Sequence, residues 1–217
     1  MNGVITQLRN RWFALKGTGP VIPTEGLVFW ASLNGDTPNK AETGQTLSAV
    51  GNVTYEETYG VPNARFANGV FCRTNAALGC RRPFSVSVWA LTGSTGNRAF
   101  VGFSLGSVQS SINVNSSGNL TSYSASGGSS LAFSSGKWIN LVVIDDGSHV
   151  TEFYGGELKR TRNSNSSEIG IDSLVIGNNI AEGYATRVVR MANLRIYDRV
   201  LTQNEIIALA HEFHPTA

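Results

Sequence analysis

Residues 191–212, MANLRIYDRVLTQNEIIALAHE, constrain the fold of this chain more than any other stretch. Leu194 and Ile196 alternate with Arg195 and Tyr197, the two-residue period of a strand with one apolar face. Asp198-Arg199 breaks that period, and Thr202 and Glu205 then stand at capping-box spacing. In such a box the threonine hydroxyl accepts from the amide three residues on, while the carboxylate reaches back to the cap amide. Ile206, Leu209, Ala210 and Phe213 follow at helical spacing. The pattern predicts a short helix over 202–213, packed through Ile206, Leu209 and Phe213. A strand followed at once by one amphipathic helix needs a sheet on which both can lie.

From Gly26 onward, short apolar runs recur between turn signals. Residues 27–32, 53–55, 64–66, 70–73, 84–90, 98–104, 111–115, 119–123, 138–144, 150–154, 174–176 and 188–197 read as strands. In 84–90, Phe84, Val86, Val88 and Ala90 fall on one face and Ser85, Ser87 and Trp89 on the other. Turn chemistry sits at 59–63, at Asn68-Gly69 and at Asp145-Asp146-Gly147-Ser148. Many short strands with almost no helical period predict an all-β, antiparallel two-sheet jelly-roll sandwich with a C-terminal capping helix. The 217 residues suit one such domain, over 26–217.

Residues 1–25 read differently. Ile5, Leu8, Trp12 and Leu15 recur at helical spacing, with Arg9, Arg11 and Lys16 off the stripe. Residues 17–23 (GTGPVIP) then break the helix and form a stiffened linker. This short N-terminal arm either folds back on the sandwich or docks on a partner, since a stripe containing Trp12 is poorly placed in water.

Charged residues make up 15% of the chain, against roughly 25% in ordinary soluble domains. With a formal charge of +2 and no Lys/Arg cluster, the sequence offers no footprint for nucleic acid or an anionic membrane. No run of about 18 apolar residues is present to span a bilayer. The N-terminus shows no recognisable signal peptide. Cys72 and Cys80 are expected to bridge if the protein matures outside a cell and to stay as thiols if it is assembled in cytoplasm.

Four segments carry a resemblance. They are GLVFWASLNGD (26–36), RPFSVSVWA (82–90), KWINLVVIDDGSHVTEFYGGEL (137–158) and NLRIYDRVLTQNEI (193–206). In this order they resemble the laminin-G-like, concanavalin-A-like jelly-roll family. They match its opening strand, its central strand, its Trp-led hairpin and its closing strand with helix. Many members carry an acidic residue before the glycine of the return turn, where this chain has Gly155-Gly156.

The resemblance raises three chemistries. Jelly rolls of this kind include glycoside hydrolases, and a retaining glycosidase needs two carboxylates about 5–5.5 Å apart. The E-x-D-x-E strand pattern is missing: Glu152 has no acidic partner two or four residues on, and the adjacent Glu56 and Glu57 would point to opposite faces. His149 lies beside a turn and His211 and His214 near the C-terminus, so no catalytic residue is assigned and a non-enzyme is expected. Calcium is the cofactor that relatives bring to mind, and it requires six to eight oxygens from converging loops. The oxygen donors at hand are Asn34, Asp36, Asp172, Asn178 and Asn179, but no contiguous calcium loop occurs, so no cofactor is assigned. For sugar binding, an aromatic ring stacks on the pyranose while amides take the hydroxyls. Trp30, Trp89 and Trp138 lie in core-patterned strands, and Tyr123 ends another; Tyr184, with Asn178 and Asn179 in the loop 178–186, ranks first as a ligand contact.

The sequence is therefore read as a non-enzymatic binding or structural module. An amphipathic arm, a low charge and a stand-alone jelly roll fit a bacteriophage virion component on a capsid, neck or tail, binding other virion proteins or itself and displaying a glycan-binding type of domain. The alternative is a secreted, extracellular lectin-like adhesin or carbohydrate-binding module; a degenerate glycosidase ranks third. Four stripe residues bury about 1.5–3 kcal/mol each before ordering costs, which is enough to drive association. Deleting residues 1–20 is expected to leave the jelly roll folded while converting an oligomer or particle-bound protein into a soluble monomer by light scattering. Unfolding on deletion would instead mark the stripe as ordinary core.

Overall fold

The computed structural model describes residues 21–35, 41–67, 69–92, 98–106, 108–114, 119–122, 131–132, 136–164, 170–178 and 188–213. The strands in chain order begin with β1 (Leu27–Ala31), β2 (Leu47–Val50), β3 (Thr54–Thr58), β4 (Val61–Phe66), β5 (Phe71–Thr74) and β6 (Cys80–Arg81). They continue with β7 (Phe84–Thr92), β8 (Arg98–Leu105), β9 (Val108–Val114), β10 (Asn119–Ser122), β11 (Leu131–Ala132) and β12 (Ile139–Asp145). The last are β13 (His149–Tyr154), β14 (Glu157–Asn163), β15 (Gly170–Ile171), β16 (Ser173–Ile176) and β17 (Val189–Tyr197), before helix α1 (Gln203–Ala210). An eight-stranded sheet runs β14-β13-β12-β7-β17-β4-β3, with β1 also on β17; a seven-stranded sheet runs β11-β10-β9-β8-β16-β5-β2. All pairings are antiparallel, as the expected jelly-roll sandwich requires. The sequence reading missed β2, β6, β11, β14 and β15. Most of these are very short, and β14 (ELKRTRN) is an edge strand whose charged residues hide its period.

Alternation sorts side chains between the layers. Phe84, Val86, Val88 and Ala90 of β7 and Leu141 and Val143 of β12 face inward, meeting Phe103, Ile112, Leu120, Leu174 and Ile176 of the second sheet. On β17 the inward set is Met191, then Leu194 and Ile196, a change of parity. The register shift between Ala192 and Arg195 supplies it, with Asn193 in the left-handed region at φ 46°. One extra residue in a bulge re-aims every side chain after it. Gly177 makes a second tight approach: at φ +87° its absent Cβ would lie 2.5 Å from the Phe66 ring.

The outward residues of the eight-stranded sheet are covered as well. Val142, Ile144, Phe153 and Tyr197 meet Leu201, Ile206 and Leu209 of the helical segment, with Ile22 and Leu27 at the margin. Beside them Trp89, Leu91, Trp138, Val61 and Ala192 form a further cluster against Phe213. Phe213 meets Trp89 edge-on at 5.5 Å, so the face of 84–90 that carries Trp89 is buried. The linker residue Pro23 is buried and its carbonyl accepts from the Tyr197 hydroxyl at 3.1 Å. Packing against the sandwich thus begins by Ile22, before Gly26. The arm stripe Ile5, Leu8, Trp12 and Leu15 lies outside the described residues. No helix among the described residues is long and apolar enough to cross a membrane.

The helix cap forms as its spacing implies. Thr202 accepts from the Glu205 amide, and Glu205 accepts from the Thr202 amide at 2.8 Å. Arg199 grips the same carboxylate through both terminal nitrogens, at 2.9 and 2.6 Å. At the other end Arg195 forms a double ion pair with Glu212, both contacts 2.6 Å, with the guanidinium almost wholly buried. The Arg199 hydrogen bond, helped by the Thr202 donors, pulls the Glu205 carboxyl down from 4.5 to about 2. A carboxyl depressed on folding stabilises the native state fully above its unfolded value, and that contribution fades as pH falls through the folded one. Glu205→Gln should therefore lower the melting temperature at pH 7, and the gap to the wild type should close between about pH 4.5 and about 2.

Candidate functional site

The two fully buried carboxylates among the described residues are both enclosed by arginine. Pairing of β13 with β14 sets Glu152 opposite Arg160 and Val150 opposite Arg162. Glu152 shares the inward face with the core residue Val150 and is fully enclosed. Its Oε2 accepts from Arg160 at 2.5 and 3.0 Å, and its Oε1 from Arg162 at 2.8 Å. Asp145, at the end of β12, takes Arg82 at 2.9 Å, the Ser164 hydroxyl at 3.0 Å and the Gly147 amide at 3.0 Å. Asp146 accepts from the amides of Ser148 and His149, so 145–148 is the hairpin turn that its sequence implied. The Tyr154 hydroxyl beside this network is pushed well above the usual tyrosine range by burial, and next by the Glu152 charge. The Glu152 carboxylate thus ties the edge strand β14 to β13, and Asp145 ties Arg82 and Ser164 to the turn.

Those of the residues singled out from sequence that are described lie on separate elements. Asn178 follows β16 and is fully buried, an enclosed residue where a surface ligand contact was expected, because Gly177 packs against Phe66 and draws the chain inward. Asn179, Tyr184, Tyr123 and Asp36 lie outside the described residues. Of the other calcium donors, Asp172 is held by Arg81 at 2.8 Å and Asn34 accepts from the Ser32 hydroxyl at 3.0 Å. Among the described residues no group of three or more His, Cys, Asp or Glu is placed to hold a metal. Trp89 and Trp138 are buried, their indole N–H groups donating to the carbonyls of Leu209 (3.2 Å) and Thr58 (2.8 Å). Trp30 is half-buried beneath the Arg195 guanidinium, 4.9 Å from its ring centre. Cys72 and Cys80 are buried, unbridged thiols whose pKa values burial pushes up to about 11, so neither is activated.

Among the described residues, the outward positions of the seven-stranded sheet are mostly small and polar. One row crosses five strands there: Ser48 beside Arg73, Arg73 beside Val175, Val175 beside Gly102, and Gly102 beside Ser111. A neighbouring row joins Ser173, Ser104 and Gln109. Arg73 is exposed and stacks over Phe71 at 5.2 Å, whereas Ser104 and Ser111 lie deeper, at 8% and 5% exposure. Ser48 donates to Asn75 Oδ1 at 2.7 Å, putting a hydroxyl and a carboxamide at the shallow end. Val175 and Gly102 are buried as well, so the row is exposed at its Ser48–Arg73 end and enclosed in the middle. The rows offer hydroxyls, amides and one guanidinium, and no carboxylate. Neither row holds an acid–base pair. The sequence carried a trace of it in Val101-Gly-Phe-Ser and Ser111-Ile-Asn-Val, whose polar positions alternate with core residues.

Comparison with known proteins agrees with this architecture. A search of curated protein sequences found no match. The sandwich is similar to a Trypanosoma rangeli sialidase at TM-score 0.69 and 15% identity, covering 96% of this chain and 38% of that one. It is also similar to the ligand binding domain of botulinum neurotoxin serotype D, solved in complex with N-acetylneuraminic acid, at TM-score 0.63 and 15% identity, covering 85% of this chain and 50% of that one. The receptor binding domain of a botulinum neurotoxin C/D mosaic gives TM-score 0.65 and 13% identity, with 85% and 51% covered. The chain spans about half or less of each, and the likeness is one of fold. The profile of the concanavalin A-like lectin/glucanase superfamily matches residues 67–207, from just after β4 into the capping helix. That match takes in most of both sheets, and the chain belongs to this superfamily.

Proposed function

We propose that this chain is a non-catalytic glycan-binding module, with the polar outer face of the seven-stranded sheet as its ligand surface. The observation that carries the reading is the pair of polar rows across that face, Ser48–Arg73–Val175–Gly102–Ser111 and Ser173–Ser104–Gln109, which contain no carboxylate. Membership of a lectin/glucanase superfamily supports it, as does the enclosure of Asp145 and Glu152 by arginine. Arg73 adds a preference for ligands with an acidic or strongly hydrogen-bonding substituent. The N-terminal arm, with Ile5, Leu8, Trp12 and Leu15, attaches the module to copies of itself or to a larger assembly; a phage virion fits an arm of that kind, and an extracellular adhesin is the second setting. Tyr184 and Asn179 remain candidate ligand contacts from the sequence.

Two substitutions separate binding from hydrolysis. Arg73→Ala should weaken binding to the best ligand on an immobilised glycan array about tenfold or more, with stability changed by less than about 0.5 kcal/mol, as for ordinary surface positions. Glu152→Gln leaves two part-buried arginines without their anion and should cost about 3–5 kcal/mol of unfolding free energy. Neither the wild type nor that variant should release reducing ends from the bound glycan. Reducing-end release by the wild type that is lost in a folded Glu152→Gln protein would overturn the non-catalytic reading.

A further inference from the structure

The two-residue connection between β3 and β4 is unusual. Thr58 pairs with Val61, and the intervening Tyr59 and Gly60 both have positive φ, 52° and 74°. Positive φ at both central positions is the type I′ hairpin geometry, for which Asn-Gly is the ordinary sequence because a bulky L-residue is strained there. Three non-glycine residues among those described adopt such angles: Leu33, Tyr59 and Asn193. Leu33 is buried in the core, and Asn193 accepts from the Trp30 indole at 3.4 Å while its amide donates to Ser32. Tyr59 shows no such internal compensation. Its side chain is 68% exposed and makes no hydrogen bond or ring contact among the described residues. A Cβ built at the neighbouring Gly60 would meet nothing within 4 Å, so the turn itself is uncrowded.

The base of this turn is firm. The buried Trp138 indole donates to the Thr58 carbonyl at 2.8 Å, tying the hairpin to the aromatic cluster of Trp89, Leu91 and Phe213. A rigid support under an exposed, strained aromatic ring is the arrangement of a presented contact residue. A single ring is far too small for a stable protein interface, which takes roughly 1,200–2,000 Å². It does match one pyranose face, with the tyrosine hydroxyl, the Glu57 carboxylate and the turn backbone within the same hairpin for sugar hydroxyls. We propose that Tyr59 is a second glycan contact, a stacking platform on the β3–β4 hairpin separate from the polar rows. The inference takes its ligand class from the glycan-binding reading above.

Tyr59→Asn gives the hairpin its ordinary Asn-Gly sequence and removes the ring, and Tyr59→Phe keeps the ring. Binding of the full-length protein would be measured on immobilised lactose, N-acetyllactosamine, sialyllactose and cello-oligosaccharide, beside thermal unfolding. The expected result is a higher melting temperature with at least fivefold weaker binding for Tyr59→Asn, and near-native binding for Tyr59→Phe. Wild-type binding that Arg73→Ala weakens and Tyr59→Asn leaves unchanged would overturn the Tyr59 contact and keep the polar-row site. A lower melting temperature with unchanged binding would identify the ring as packing and would also overturn it. Absence of wild-type binding to all four glycans, with capture of Tyr59-dependent protein partners, would overturn both readings.

Discussion

The pairing of β17 is the constraint on which the rest of the structure depends. This strand meets β7 along one side and both β4 and β1 along the other, so the start and the end of the described chain close one sheet. Its bulge at Asn193 is what allows Met191 on one side and Leu194 and Ile196 on the other to enter the same core. Without the extra residue the second half of the strand would turn its apolar side chains outward, since a strand's side-chain period is two. The same bulge brings Asn193 to the Trp30 indole and presents Arg195 to Glu212, so the position of β1 and the docking of the helix both follow from it.

That docking makes the two outer faces unequal. The eight-stranded sheet has apolar residues on both sides, and one amphipathic helix together with Trp89, Trp138 and Phe213 takes the outer set out of water. The seven-stranded sheet carries small polar side chains and a glycine in its outward rows. Burial of apolar area drives the first arrangement; on the second, Ser104, Ser111 and Asn113 are buried polar groups and Ser48, Arg73 and Gln109 stay closer to solvent.

Charge is used sparingly and mostly inward. Glu152, Asp145 and Glu212 each meet at least one arginine in a buried or nearly buried setting. Such pairs add little net stability over apolar side chains of the same size, but losing one partner leaves a stranded charge. They therefore fix where β14, the 145–148 turn and the helix end must lie. Arg73, by contrast, is exposed and stacks over the Phe71 ring.

How much of this was legible depended on sequence distance. The Thr202–Glu205 cap, the alternation of β7, the Asp145–Ser148 turn and the closing strand with its helix are set by residues a few positions apart, and local geometry alone decides them. The jelly-roll sandwich followed from the succession of such signals. The Glu152–Arg160–Arg162 clamp, the Arg195–Glu212 pair and the rows across the second sheet depend on strand register, which no local period reveals. Asn178 looked like a loop ligand because its neighbours are polar, and it is buried because Gly177 closes on Phe66, more than a hundred residues away in the chain. Tyr59 was visible only as part of a turn; its exposure and left-handed backbone come from the hairpin and from Trp138 beneath it. The sequence by itself determined the longer core strands and the capping helix, because periodicity and capping are local. The tertiary structure decided which carboxylates are enclosed by arginine and which polar side chains share a face, because both are set by which strands become neighbours.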